Sequence, residues 1–244
     1  MRNLKLEIGY DGTDYCGWQE QARKKANKPS IQGTIEKALR KILQEKIQLT
    51  ASGRTDAGVH ALAQVANFKT KTRIPLVKLQ RAANGLLPDD ISISMIEEVD
   101  PEFNSRFQAK SKVYRYLILN HSHRSALLKH RVYFYHYPLD TQLMRQASKY
   151  LLGRHDFKSF CASGSDTKTT IRTIKKIDIR KVRCSLYTAH CTLLAIDIEA
   201  NGFLYNMARR IIGMLLEIGR GRFPKQAGPT APAEGLYLVK VNYD

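Results

Sequence analysis

At 244 residues, with 43% hydrophobic and 25% charged residues, the chain has the make-up of an ordinary folded protein of one large or two modest α/β units, which excludes a fibre or a disordered polymer. Its charge is not ordinary: 40 Lys and Arg against 22 Asp and Glu leave a net +18, an excess that a polyanion would complete, so nucleic acid is the leading partner. No run approaches the ~20 apolar residues of a spanning helix, so no membrane is expected, and Cys16, Cys161, Cys184 and Cys191 form no CxxC pair of a zinc ribbon or disulfide framework.

Leu4, Leu6, Ile8 and Tyr10 alternate with polar residues, which predicts a half-buried opening strand running into the turn-rich Asp11-Gly12-Thr13-Asp14. An alternating strand in place of an apolar signal core makes the cytoplasm the expected compartment. Arg23, Lys24, Lys25 and Lys28 follow near Trp18, either as phosphate contacts or as a solvated loop. Ser30 stands at a cap position, and Ile31, Ile35, Leu39 and Ile42 recur at helical spacing behind it. Strands are expected around Ile47–Ser52 and Gln64–Lys69, a helix from near Pro75 to before Pro88, and another strand through Ile91, Ile93 and Met95. This βαββαβ order suits a mixed or antiparallel sheet with helices on one face.

The second half predicts strands at Lys112–Leu119 and Val132–Tyr137, a helix from Asp140 to Leu152 stopped by Gly153, and long strands at Thr170–Val182 and Thr192–Ala200. A helix over Leu204–Ile218 and a strand at Gly235–Tyr243 close the pattern. Proline and acidic residues coincide with a change of pattern at Asp100–Pro101. The expected fold class is therefore α+β, with two similar α/β subdomains, residues 1–102 and 103–244, that share an interface because no Gly/Ser linker separates them.

Candidate chemistry lies in Ser52-Gly53-Arg54-Thr55-Asp56-Ala57-Gly58-Val59-His60, where a single carboxylate sits between two glycines with Arg54 before it and His60 after it. Asp56 is the obvious reactive group, although a plain β-turn, with Asp capping and Gly at positive φ, explains the same residues. On the helix Leu204–Ile218 the apolar residues cover about half the circumference at ~100° per residue, and Arg209 falls at the margin of that arc. A guanidinium there asks for a carboxylate. Asp56 would serve and would be held ionised; the alternatives are Glu217 or a reach to water.

Lys110-Ser111-Lys112-Val113-Tyr114-Arg115-Tyr116 alternates cations with aromatics, as a surface that holds phosphates and stacks on a base requires. Tyr114 and Tyr116 must point away from Arg115 on a strand, so an aromatic core face with a solvated basic face is the alternative. His155-Asp156 reads as capping and packing, because neighbours on an extended chain point apart, and Cys184, His190 and Cys191 read as strand residues more than as a metal site. Walker, GxGxxG, HExxH and GxSxG patterns are all missing, which removes the usual supports for a nucleotide cofactor, a zinc protease or a serine hydrolase.

Beyond these local readings, ordered motifs run nearly end to end: Tyr10-Asp11-Gly12-Thr13 with Gly17-Trp18-Gln19, the Asp56 segment, Phe103 to Arg106 with Lys112 to Tyr116, and His155-Asp156-Phe157. Ser163-Gly164-Ser165-Asp166 with Thr170-Ile171-Arg172, the run Asn201 to Gly213, and Gly228-Pro229-Thr230-Ala231-Pro232-Ala233 with Gly235 to Leu238 complete the set. In these the chain resembles the tRNA pseudouridine synthase A family. It departs from the family pattern between Gly221 and Gly228, where six residues stand in place of a further short helix.

The resemblance implies a pseudouridine synthase core with its catalytic cleft between the subdomains. It implies Asp56 as the catalytic aspartate, Tyr114 stacked on the target uracil, Arg209 as the ion-pair partner of Asp56, and Arg54 engaging RNA. It further implies an isomerase acting on uridines 38, 39 and 40 of the tRNA anticodon stem-loop, without metal or small-molecule cofactor, as a homodimer. Two rivals have distinct requirements. A non-catalytic tRNA-binding module would not need Asp56, and a metal-dependent nuclease would need a carboxylate cluster where this segment offers one carboxylate.

Overall fold

The computed structural model describes residues 1–19, 28–164, 167–184, 191–224 and 227–243. Arg23, Lys24, Lys25, Ser165, Asp166 and His190 lie outside the described residues, as does the cluster that His190 would form with Cys184 and Cys191. The fold is α+β with a mixed sheet and four α-helices among the described residues. It divides into two units: Met1–Lys110 with Leu238–Asp244, and Ser111–Tyr237.

The first unit runs β1 (Arg2–Tyr10), α1 (Ile31–Leu43), β2 (Thr50–Ala51), β3 (His60–Thr70), α2 (Leu76–Asn84) and β4 (Ile91–Val99), the order that hydrophobic spacing predicts. Its strands lie in the order β4-β1-β3, with β2 on β3 and both neighbours of β1 antiparallel to it. Ser30 Oγ accepts the Gly33 N–H at 3.1 Å and starts α1, which buries Ile31, Ile35 and Leu39 completely. Each such side chain contributes about 1.5–3 kcal/mol relative to exposure. On β4 the expected alternation breaks. A bulge between Glu7 and Ile8 changes the pairing from Met95 to Ile93, so Met95 is 38% exposed and Ile96 is buried instead.

The expected boundary at 102/103 falls inside the first unit, which extends to Lys110. The reason is polar: the Asn3 and Asn67 amides hydrogen-bond each other at 2.9 Å and both donate to the Phe103 carbonyl, while Asn67 Oδ1 accepts the Ser105 N–H and Ser105 Oγ donates to the Thr50 carbonyl. The last strand of the chain, Leu236–Asn242, leads back to the same place, where the hydroxyl of Tyr243, just beyond it, donates to the Ser105 carbonyl at 2.9 Å.

The second unit contains β5 (Ser111–Asn120), β6 (Tyr133–Tyr135), α3 (Thr141–Lys149), β7 (Gly153–Asp156), β8 (Ile171–Cys184), β9 (Cys191–Ala200) and α4 (Met207–Gly219). Strand order is β5-β9-β8-β7, all antiparallel, with β6 parallel to β5. Asp140 caps α3 through the Gln142 and Leu143 N–H groups, and its own N–H reaches the Gly219 carbonyl at the end of α4. The expected helix start at Leu204 is corrected to Met207, because Asn206 takes a left-handed φ of 60° and interrupts the turn before it. From there Met207, Ala208, Ile211, Ile212, Leu215 and Leu216 are buried, which is why the apolar arc is broad.

Candidate active site

In the first unit the Asp56 segment spans β2 to β3 and is built into its surroundings by residues 10–18. The buried Tyr10 hydroxyl meets Thr55 Oγ1 at 2.7 Å, the Trp18 N–H donates to the Thr55 carbonyl at 3.0 Å, and the Gly12 N–H donates to His60 Nδ1 at 3.1 Å. A Cβ on Gly12 would stand 2.0 Å from the Val59 carbonyl oxygen, and Gly17, at φ +107°, would place one 2.6 Å from that of Thr55. The two glycines of the opening motif are thus required by the loop they support. From β3, Ser52 Oγ donates to Gln64 Oε1 at 2.7 Å while Gln64 Nε2 donates to the Gly53 carbonyl at 2.9 Å.

Within this frame the Val59 N–H closes a turn on the Asp56 carbonyl at 3.1 Å, and Gly58 takes φ +76°. The turn reading of the segment therefore holds, and Asp56 is half-buried on it. Arg54 is exposed. Burial pushes the Tyr10 phenol up, against the opposing hydrogen bonds of Thr55 and Gln64, so it stays protonated and able to donate.

In the second unit Tyr114, on β5, is buried and meets the Phe203 ring edge-on, with centroids 4.9 Å apart. Tyr116 shares its face, with its hydroxyl on the Pro232 carbonyl at 2.8 Å. Arg115 points the other way, as alternation requires, and binds Asp197 through two hydrogen bonds of 2.7 and 2.9 Å. Arg180 shares that carboxylate at 2.9 Å, so Arg115 belongs to a salt-bridged sheet face opposite the aromatic one. Burial raises the Asp197 pKa, but the hydrogen bonds from Arg115 and Arg180 outweigh it and hold the carboxyl below its ordinary value.

Arg209, half-buried on α4, donates from Nε to the Ala231 carbonyl at 2.7 Å and from Nη1 to Asn206 Oδ1 at 3.1 Å. Glu217, the alternative partner in the sequence, instead faces Arg220 and Arg222 at 3.7 and 3.6 Å. His155 and Asp156 are both exposed on β7 and make local hydrogen bonds, so neither packs in the core as expected; that part is taken by Phe157. The His155 Nε2 group meets the Leu152 carbonyl at 2.7 Å, Asp156 Oδ1 accepts the Lys158 N–H at 3.0 Å, and Phe157 is buried beside them. A hydrogen bond from Thr170 first, then that N–H, holds the Asp156 carboxyl low.

Of the sequence candidates, Asp56 and Arg54 thus stand in the first unit and Tyr114 and Arg209 in the second. Sequence reasoning missed Thr55 and Gln64 as supports of the loop, and Asn206 and Ala231 as supports of Arg209. Tyr10 on Thr55 and Ala231 on Arg209 are brought together by folding from distant segments and leave no signal in spacing, whereas Asn206, three residues before Arg209, was within reach of a helical-spacing argument. Among the described residues no group of three or more His, Cys, Asp or Glu could hold a metal ion, and no helix is long and apolar enough to cross a membrane.

Comparison with known proteins adds identity to this geometry. A family model described as tRNA pseudouridine synthase matches residues 8–108 and 147–244, which include Arg54, Asp56 and Arg209 and pass over Tyr114. The chain is 46% identical to tRNA pseudouridine synthase A of Acetivibrio thermocellus and 47% identical to that of Caldicellulosiruptor saccharolyticus, in each case over 100% of both chains. A third relative of that name, from Thermoanaerobacter, is 42% identical over the same full coverage. The closely fitted glycines, the Asp56 turn and the Arg209 helix all fall within the matched segments, and the chain belongs to the tRNA pseudouridine synthase family.

Proposed function

We propose that this protein isomerises uridines 38, 39 and 40 of the tRNA anticodon stem-loop to pseudouridine, as a cytoplasmic homodimer, with Asp56 as the catalytic carboxylate. The observation that carries the reading is the Asp56 turn, a half-buried carboxylate on a backbone fixed from both neighbouring segments, in a chain of this family. A net charge of +18 supports tRNA as the partner, and it makes binding weaken with salt.

The reaction breaks the N1–C1′ glycosidic bond, turns the detached uracil, joins C5 to C1′, and releases the C5 hydrogen as a proton while N1 takes one up. Atoms and electrons balance without an oxidant, a reductant or an energy source. A carboxylate suits it, as nucleophile toward sugar or ring or as base on a sugar proton. In this reading Arg209 serves the reaction as well, as the second charged group of the catalytic machinery. Tyr114 stacks on the uracil, and Arg54, exposed beside the turn, helps draw the nucleotide from its stack.

Tritium release from tRNA labelled at C5 of uridine, in EDTA, tests the proposal. The wild type is expected to release label, and Asp56→Ala to lose at least about 10³-fold in rate while folding and binding tRNA normally. Tight binding with no release from either protein would identify a binding module. Strand cleavage that EDTA abolishes would identify a nuclease.

A further inference from the structure

The left-handed residue that interrupts the helix start is neither glycine nor a capping residue in action. Asn206 has φ 60° and ψ 6°, and although it occupies the N-cap of α4 its side chain caps no backbone N–H. Asn tolerates this conformation better than most residues but still at a disadvantage to glycine. An N-cap Asn ordinarily contributes about 1 kcal/mol by accepting from the second or third helical N–H. Here Oδ1 accepts instead from Arg209 Nη1, one turn along, at 3.1 Å.

A second hold on the same guanidinium comes from the 228–235 segment. Arg209 Nε donates to the Ala231 carbonyl at 2.7 Å, and the Ala231 N–H returns to the Arg209 carbonyl at 3.1 Å. The neighbouring Pro232 carbonyl accepts from Tyr116, and Gly213 lets the Pro229 carbonyl lie where a Cβ would come within 1.7 Å of its oxygen. The guanidinium plane is thus fixed by acceptors on two different nitrogens, one of them supplied by a residue that holds a left-handed backbone without using its cap.

We infer that Asn206 is a positioning residue of the synthase: it sets the plane of the Arg209 guanidinium, and with it the directions in which that group presents its remaining N–H donors. The inference rests on the function proposed above and deepens it. Asn206→Gly separates this role from a structural one, because glycine accepts φ 60° readily and there is no cap hydrogen bond to lose. Asn206→Asp keeps the oxygen acceptor and serves as the rescue.

Three readouts decide it: thermal unfolding, tRNA affinity by filter binding, and single-turnover tritium release. Expected for Asn206→Gly is an unfolding temperature equal to or above wild type, an unchanged Kd for tRNA, and a rate constant lower by about ten- to a hundredfold, with most of the rate restored in Asn206→Asp. A wild-type rate constant, or a loss expressed in tRNA affinity alone, overturns the inference. The Arg209 Nε–H resonance in ¹⁵N–¹H spectra gives a readout independent of catalysis: its exchange with water should quicken in Asn206→Gly. A wild type that releases no tritium refutes the synthase reading separately, and the Arg209 signal then decides alone, with unchanged exchange overturning the positioning role.

Discussion

Removing one hydroxyl, in Tyr10→Phe, tests whether the Asp56 turn is held by the hydrogen bonds described. Tyr10 and Thr55 are 5% and 6% exposed, and their hydroxyls lie 2.7 Å apart, so deleting the phenol oxygen leaves Thr55 Oγ1 buried without that partner. Such a loss costs about 1–3 kcal/mol. In a chain of this size 1 kcal/mol shifts the unfolding temperature by about 2–4 °C, so a fall of about 2–12 °C is expected. Thr55→Val should destabilise comparably. The double variant should lose less than the sum of the two, since no orphaned hydroxyl remains, with a coupling of about 1 kcal/mol. Thr55 adjoins Asp56, so Tyr10→Phe should also lower the tritium-release rate, by about tenfold, while Thr55→Ser keeps it. An unfolding temperature within about 1 °C of wild type, together with an additive cycle, would refute the reasoning.

Two further outcomes follow from the same geometry. The Asp197 carboxyl is held below its ordinary pKa, so its contribution is present above the unfolded value of about 3.9 and is lost as pH falls through the lower folded value. Asp197→Asn should therefore be less stable than wild type by about 1.5–3 kcal/mol near neutral pH. Urea unfolding should show that difference shrinking below about pH 4, and a gap constant with pH would contradict the assignment. Arg54→Ala should weaken tRNA binding at low salt and reduce the slope of log affinity against log salt by about 1, whereas an unchanged slope would remove Arg54 from the RNA contacts.

Hydrophobic spacing and turn chemistry were sufficient for the element order of the first unit, the Ser30 cap, the helix that begins at Asp140, and the opposite facing of Tyr114 and Arg115. These are local quantities, set by periodicity along a few residues, and the chain itself carries them. Tertiary structure decided the rest. The bulge on β4, opposite Glu7 and Ile8, exchanged Met95 for Ile96 in the core, since one shifted pairing inverts every later side chain. The extent of the first unit depended on Asn3 and Asn67 reaching the Phe103 carbonyl, contacts between residues remote in sequence. Arg115 proved to be bound to Asp197, and the glycines of the opening motif proved to be the floor of the Asp56 turn. A side chain's type announces what it can do; whether it is held, paired or left to act is fixed by neighbours that only folding supplies.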